Sequence, residues 1–306
     1  MSYPHKTFEL LIQYQTQDLE STLALKEQIK FHLSIINVES YVEGFCDGLN
    51  IDFDHEHKLH ELALPEDTPI LIYKYDAESL RDIETSLQKT FTSQIQTSIK
   101  SFDTKEWLDG WKDSFKPFTT QKFYVRPPWE KAPSTDNLID LIIEPAMAFG
   151  TGQHATTKLC LQQIEAIDHK CKTSRILDLG CGTGILAIAA HKLGGNDIIA
   201  TDIDPDAILA TQANQKLNNC LFDISTGSIP NQKYTLIFVN ILAIIIRKLM
   251  PQLKDSLEIG GEMILSGILQ EEAAEMNAEC EKYGFQTLRT TMLEGWACLH
   301  VKKVLP

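Results

Sequence analysis

The chain has 306 residues, 43% of them hydrophobic, with 28 basic and 42 acidic side chains and a net charge of −14. That length supports a substantial core in one large or two ordinary domains, and the acidity disfavours bare nucleic acid as a direct partner. The longest apolar run, Leu236–Ile246, is broken by Asn240 and falls short of the ~18 residues of a membrane span; "MSYPHKTFELL" lacks a signal-peptide pattern, and the seven cysteines include no CxxC pair. The expectation is a cytoplasmic protein with reduced thiols and no membrane partner.

In chain order, "TFELLIQY" is strand-like and "DLESTLALKEQIKFHL" has helical spacing behind an Asp at a cap position. "VESYVEGF" and "PILIYKY" are strand candidates, "AESLRDIETSLQKTF" is an amphipathic helix, and "IQTSIKSF" is again a strand. The order β-α-β-β-α-β over residues 1–103 predicts a small α+β, ferredoxin-like domain. Its 8 basic residues face 18 acidic ones, a net of −10, against −4 for the rest of the chain. Such a field either keeps a surface soluble or draws a basic partner. His55, His57 and His60 lie in a charged loop with no regular element to converge them, so no metal site is assigned.

"TKEWLDGWKDSFKPF" predicts a linker helix over 104–117, with Trp107, Trp111 and Phe115 on one face and an end before Pro117. A second domain, 118–306, opens with "KFYVRPPWE". From Ser174 onward strands and helices alternate strictly, from "RILDLG" to the closing pair "FQTLRTTM" and "WACLHVKKV". Alternation of this kind predicts an α/β, doubly wound, largely parallel Rossmann-like sheet whose ligand site lies beyond the carboxyl ends of the strands.

Two glycine-bearing stretches stand close together, "EPAMAFGTGQHATT" and "LDLGCGTG". The second puts Gly180, Gly182 and Gly184 at the first strand-to-helix turn with the spacing G-x-G-x-G. A dinucleotide site has a further intervening residue before its last glycine, and here that last position is Ile185. Asp178 adds an anion that would repel a pyrophosphate and suit a cationic group. Asp202 ends the second apolar strand 22 residues after Gly180, where a carboxylate accepts from ribose hydroxyls. Asp204, followed by Pro205, has the pattern of a helix cap. The first stretch is not a Walker A loop, because Thr157 rather than Gly precedes Lys158.

Together these motifs resemble the class I methyltransferases that use S-adenosylmethionine (SAM). "PAMAFGTGQHATT", "LDLGCGTGILAIAA", "TDIDPDAI" and "VNILA", in that order, are similar to the ribosomal protein L11 methyltransferase (PrmA) family, with Ala146 where that family usually has Gly. The resemblance runs from about Trp111 to the carboxyl terminus. It implies SAM as cofactor and ribosomal protein L11 as a basic partner, methylated on lysine ε-amines and the terminal α-amine. Residues 1–103 carry no matching motif; their acidity suits a basic substrate, and they are expected to form the substrate-recognition domain. Cofactor positions carried by the resemblance are Thr157, Gly180, Asp202 and Asn240, joined by Asp178, Gly182, and Phe149, Gly150 and Thr151 of a segment covering the methionine end of SAM. Asn240 is followed by Ile-Leu-Ala, not Pro-Pro-aromatic, so no ring is present to stack a base; its amide suits an aliphatic amine. Asn240 is the expected catalytic residue, unless it only caps the next helix. His154 has a proton relay, a cofactor contact and a structural role all open to it.

Overall fold

The computed structural model describes residues 6–16, 18–36, 38, 41–43, 68–74, 76–103, 115–132, 137–144 and 154–304. His55, His57, His60, Phe149, Gly150, Thr151 and most of the expected linker helix lie outside the described residues; Phe115 to Pro117, at its end, are not helical. The chain divides into two units, Met1–Phe115 and Lys116–Pro306.

The first unit runs β1 (Lys6–Tyr14), α1 (Leu19–Ile35), β2 (Val42–Glu43), β3 (Ile70–Lys74), α2 (Ala77–Phe91) and β4 (Ile95–Asp103). The sheet order is β2-β3-β1-β4, with every pairing antiparallel, which is the ferredoxin-like arrangement. Helix α2 forms where the sequence predicts it. The Asp76 side chain accepts the Ser79 amide at 2.8 Å, and Leu80, Ile83, Leu87 and Phe91 repeat at helical spacing on the buried side. They close a core with Leu10, Ile12, Ile70 and Ile72 of the sheet.

The second unit begins with a three-stranded sheet, β5 (Phe118–Thr119), β6 (Phe123–Arg126) and β7 (Ile139–Ile142), followed by α3 (Ala155–Ala166) and α4 (Asp168–Cys171). None of these five elements was anticipated from the sequence. Then come β8 (Arg175–Leu179), α5 (Ile185–Lys192), β9 (Asp197–Asp202), α6 (Pro205–Leu217), β10 (Asp223–Thr226) and β11 (Tyr234–Asn240). The last elements are α7 (Ala243–Ser256), β12 (Leu257–Leu269), α8 (Ala273–Lys282), β13 (Phe285–Leu293) and β14 (Trp296–Lys303).

Strands β8 to β14 form one sheet in the order β10-β9-β8-β11-β12-β14-β13. The first five are parallel to their neighbours, and β14 inserts antiparallel between β12 and β13. The pleat sends alternate residues to opposite cores. Leu236 and Phe238 join Ile176, Ile188 and Leu159 on one face; Ile237 and Val239 join Leu177, Ile246, Met250 and Met276 on the other. Both faces are therefore covered by helices, which is why the central strands read as continuous apolar runs. On α3, buried Glu165 accepts the amides of Lys122 (2.6 Å) and Phe123 (3.2 Å) and the hydroxyl of Thr120, tying the small sheet to this layer.

Candidate functional site

Strand β8 passes into α5 through Gly180, Gly182 and Gly184, with φ of +71°, +54° and +79°. L-residues with a side chain rarely occupy that region. Space forbids a side chain as well. A Cβ at Gly180 would lie 2.4 Å from Ile241 Cγ2, and one at Gly184 would lie 2.8 Å from Thr211 Cγ2. The turn is anchored to β9, because the amides of Gly180 and Cys181 both donate to the Thr201 carbonyl, at 2.9 and 3.0 Å.

Asp202 ends β9 with each carboxylate oxygen held by a main-chain amide: Oδ2 accepts from Gly182 and Oδ1 from Asp204, both at 2.9 Å. Burial pushes its carboxyl above the ordinary 3.8, the two amides oppose this, and the Asp204 charge adds to the rise. Each oxygen keeps acceptor capacity beyond its one amide. Ile203, next in sequence, is an exposed apolar side chain beside that carboxylate. Asp204 caps α6, accepting the Asp206 amide at 2.9 Å, with Pro205 in the first turn.

Asp178 is 1% exposed and turns inward, accepting the Ala187 amide of α5 at 3.0 Å. Burial pushes its carboxyl up to about 7, the Ala187 amide opposes this, and the nearby Asp202 charge adds to it. Its placement is under the turn, holding the helix start, rather than on an open surface.

Asn240 ends β11 and is 8% exposed. It does not cap α7, whose cap position is Leu242 with no side-chain hydrogen bond. Its Nδ2 instead donates to Thr157 Oγ1 at 3.4 Å, and its Oδ1 is buried with no hydrogen-bond partner among the described residues. Thr157 lies fully buried in the first turn of α3. His154 caps that helix: Nδ1 accepts the Thr156 amide at 3.3 Å and sits 2.7 Å from the Thr156 hydroxyl. An amide can only donate, so Nδ1 is an acceptor and the ring proton belongs on Nε2. The ring packs edge-on to Trp296 at 4.8 Å between centroids.

Gly180, Asp202 and Asn240 thus stand at the carboxyl ends of β8, β9 and β11. They are linked through Gly182 on one side and Ile241 and Thr157 on the other. Sequence analysis missed the groups that hold this arrangement. On one face of α6, Thr211 donates to the Gly182 carbonyl (2.9 Å), and Asn214 donates to the Thr183 carbonyl (3.0 Å) while accepting the Glu144 amide (2.8 Å). Asn218 accepts the Ile142 amide at 2.9 Å and donates to its carbonyl at 2.6 Å. The spacing i, i+3, i+7 was visible, but a solvated polar face carries the same spacing. Trp296 and Gly267 had no local signal.

A sheet with the last strand reversed between the fifth and sixth, a glycine turn after its first strand and an acidic residue closing its second define a class I methyltransferase. The model of the family described as ribosomal protein L11 methyltransferase (PrmA) matches residues 26–304, and the chain belongs to that family. A relative from Polynucleobacter necessarius named ribosomal protein L11 methyltransferase is 36% identical over 234 residues, covering 73% of this chain and 70% of its own. One of the same name from Shewanella denitrificans is 36% identical over 255 residues, covering 80% and 84%. The crystal structure of a ribosomal protein L11 methylase from Lactobacillus delbrueckii subsp. bulgaricus superposes with a TM-score of 0.56 at 32% identity, covering 61% of this chain and 97% of that one.

Proposed function

We propose that the protein transfers methyl groups from SAM to amines of ribosomal protein L11, its lysine ε-amines and terminal α-amine. One observation carries the amine chemistry: the buried Oδ1 of Asn240, beside the glycine turn, has no hydrogen-bond partner among the described residues. A buried acceptor left unsatisfied costs about 1–3 kcal/mol, and an incoming N–H relieves that cost. Catalysis in this arrangement is chiefly placement.

The residues present fit SAM. Gly182 brings main chain without a Cβ to the turn, the Asp202 oxygens keep acceptor capacity for ribose hydroxyls, and Ile203 offers an apolar surface to a base. Asp178 supports the turn from beneath through the Ala187 amide. Thr157 reaches the site through Asn240; Phe149, Gly150 and Thr151 are assigned by family resemblance alone. When bound, SAM supplies an activated methyl on a sulfonium. The Asn240 oxygen then orients the amine, and near-attack alignment of this kind is worth up to ~7–11 kcal/mol. The ammonium gives its proton to solvent water as it enters the site, since desolvation lowers its pKa, so no side chain is assigned as general base.

Residues 1–103 serve in this scheme as the recognition domain, 104–117 as the linker and 118–306 as the catalytic domain. The acidic front agrees with a basic ribosomal substrate in the cytoplasm. No helix among the described residues is long and apolar enough to cross a membrane. The test is to incubate the purified protein with SAM and free ribosomal protein L11 and read peptide masses. Methyl additions on lysines or the terminal amine are expected; SAM binding without any mass change overturns the substrate assignment.

A further inference from the structure

We propose that Gly267 is a positioning residue for methyl transfer, acting through Ile241; the inference rests on the proposed amine role of Asn240 and names what holds that residue in place. Asn240 pairs across the parallel ladder with Ser266, so Gly267 flanks the turn that follows Asn240. At Gly267 φ is +83°, and a Cβ there would lie 2.1 Å from the Ile241 oxygen, 2.6 Å from its carbonyl carbon and 3.2 Å from its nitrogen. All three are main-chain atoms, so no side-chain rotation relieves the collision.

The opposite side of Ile241 is closed by the glycine turn. Its Cγ2 occupies the place a Cβ on Gly180 would take, at 2.4 Å. Ile241 therefore fills a slot between two glycines, its main chain against Gly267 and its side chain against Gly180. The slot is built into β12. Pairing with β14 slips between Leu265 and Ile268, and the Ser266 hydroxyl is anchored to the Ala297 carbonyl at 3.0 Å. A bulge at this point bends the strand and lets the neighbouring turn approach. Because Asn240 immediately precedes Ile241, displacement of Ile241 re-aims the Asn240 oxygen and the carbonyls of the same turn. An alanine at 267 forces a retreat of roughly 1 Å, and misplacement on that scale lowers turnover on the order of 100-fold.

Gly260 supplies the control. It lies in the same strand with φ +80°, yet a Cβ there meets nothing within 4 Å. Gly267→Ala is expected to lower kcat by about 100-fold with the SAM Kd within about 3-fold, while Gly260→Ala leaves kcat within about 2-fold. Equal effects of the two substitutions, or a loss of SAM affinity that matches the loss of turnover, overturn the proposal. If Gly267→Ala does not fold, Ile241→Ala empties the slot without a clash; its kcat should drop by about 10-fold, and an unchanged kcat overturns the proposal. Should the wild-type protein leave ribosomal protein L11 unmodified, the substrate assignment fails. Positioning is then decided by the crystal structure of Gly267→Ala, where an Ile241 carbonyl that has not moved overturns it.

Discussion

Two side chains at this site take directions that their local sequence does not reveal. Asn240 could be recognised as a strand-end amide from "YTLIFVN", but its freedom from capping α7 and its bond to Thr157 are tertiary facts. Asn240→Ala is expected to lower kcat by roughly 100-fold while SAM affinity changes only a few-fold, read by steady-state kinetics beside calorimetry. Equal losses in both would make Asn240 a cofactor residue alone. Asp178 was also legible as an acid before the glycine turn, although its inward direction was not. With its carboxyl at about 7 in the folded chain against an ordinary 3.8, it keeps its proton in a range where the unfolded chain has lost it. Its contribution to stability therefore falls as pH rises from about 4 to about 7, and is flat beyond. Urea unfolding of wild type and Asp178→Asn across that range should show the difference declining; a constant difference would place the shift elsewhere.

Among the elements, legibility follows how much of a polar face survives burial. Helix α2 keeps one and shows its period plainly. Helix α3 buries Ala155, Thr156, Thr157, Leu159, Cys160, Leu161, Gln163, Ile164 and Glu165, which erases the amphipathic stripe that would have revealed it. Helix α7 continues through Pro251, at a propensity cost of about 3 kcal/mol, because Ile246, Met250 and Leu253 on its inner face are fully buried. Helix α6 with its C-cap contributes Thr211, Asn214 and Asn218 as buried hydrogen-bonding groups, so it holds the glycine turn and the end of β7 together. Asn214→Ala leaves the Thr183 carbonyl and Glu144 amide without this partner. It is expected to cost about 1–3 kcal/mol of stability and to weaken SAM binding in parallel, measured by urea unfolding and calorimetry. Loss of neither would mean that the bonds to Thr201, Asp202 and Thr211 hold the turn without Asn214.

Over the whole molecule, charge separates the two halves of the chain. In the proposed function the net of −10 over residues 1–103 would act on a basic substrate by its summed field, whereas the groups proposed to hold SAM would act through short, partly buried contacts. Raising salt from 50 to 300 mM should therefore raise KM for ribosomal protein L11 by about 10-fold and leave the SAM Kd within about 2-fold. A KM that ignores salt would leave the acidic front with a solubilising role only.

By itself the sequence determined the alternation of strands and helices, the glycine turn, the acid that closes β9 and the amide that closes β11. These depend on pleat, helical period and local backbone freedom, all expressed within a few dozen residues. Only the tertiary structure decided that β14 enters between β12 and β13, that Asp178 faces inward, that α6 secures the glycine turn, and that Gly267 makes room for Ile241. Each of these depends on which group the fold brings into the space beside a residue, and residue type alone does not specify that neighbour.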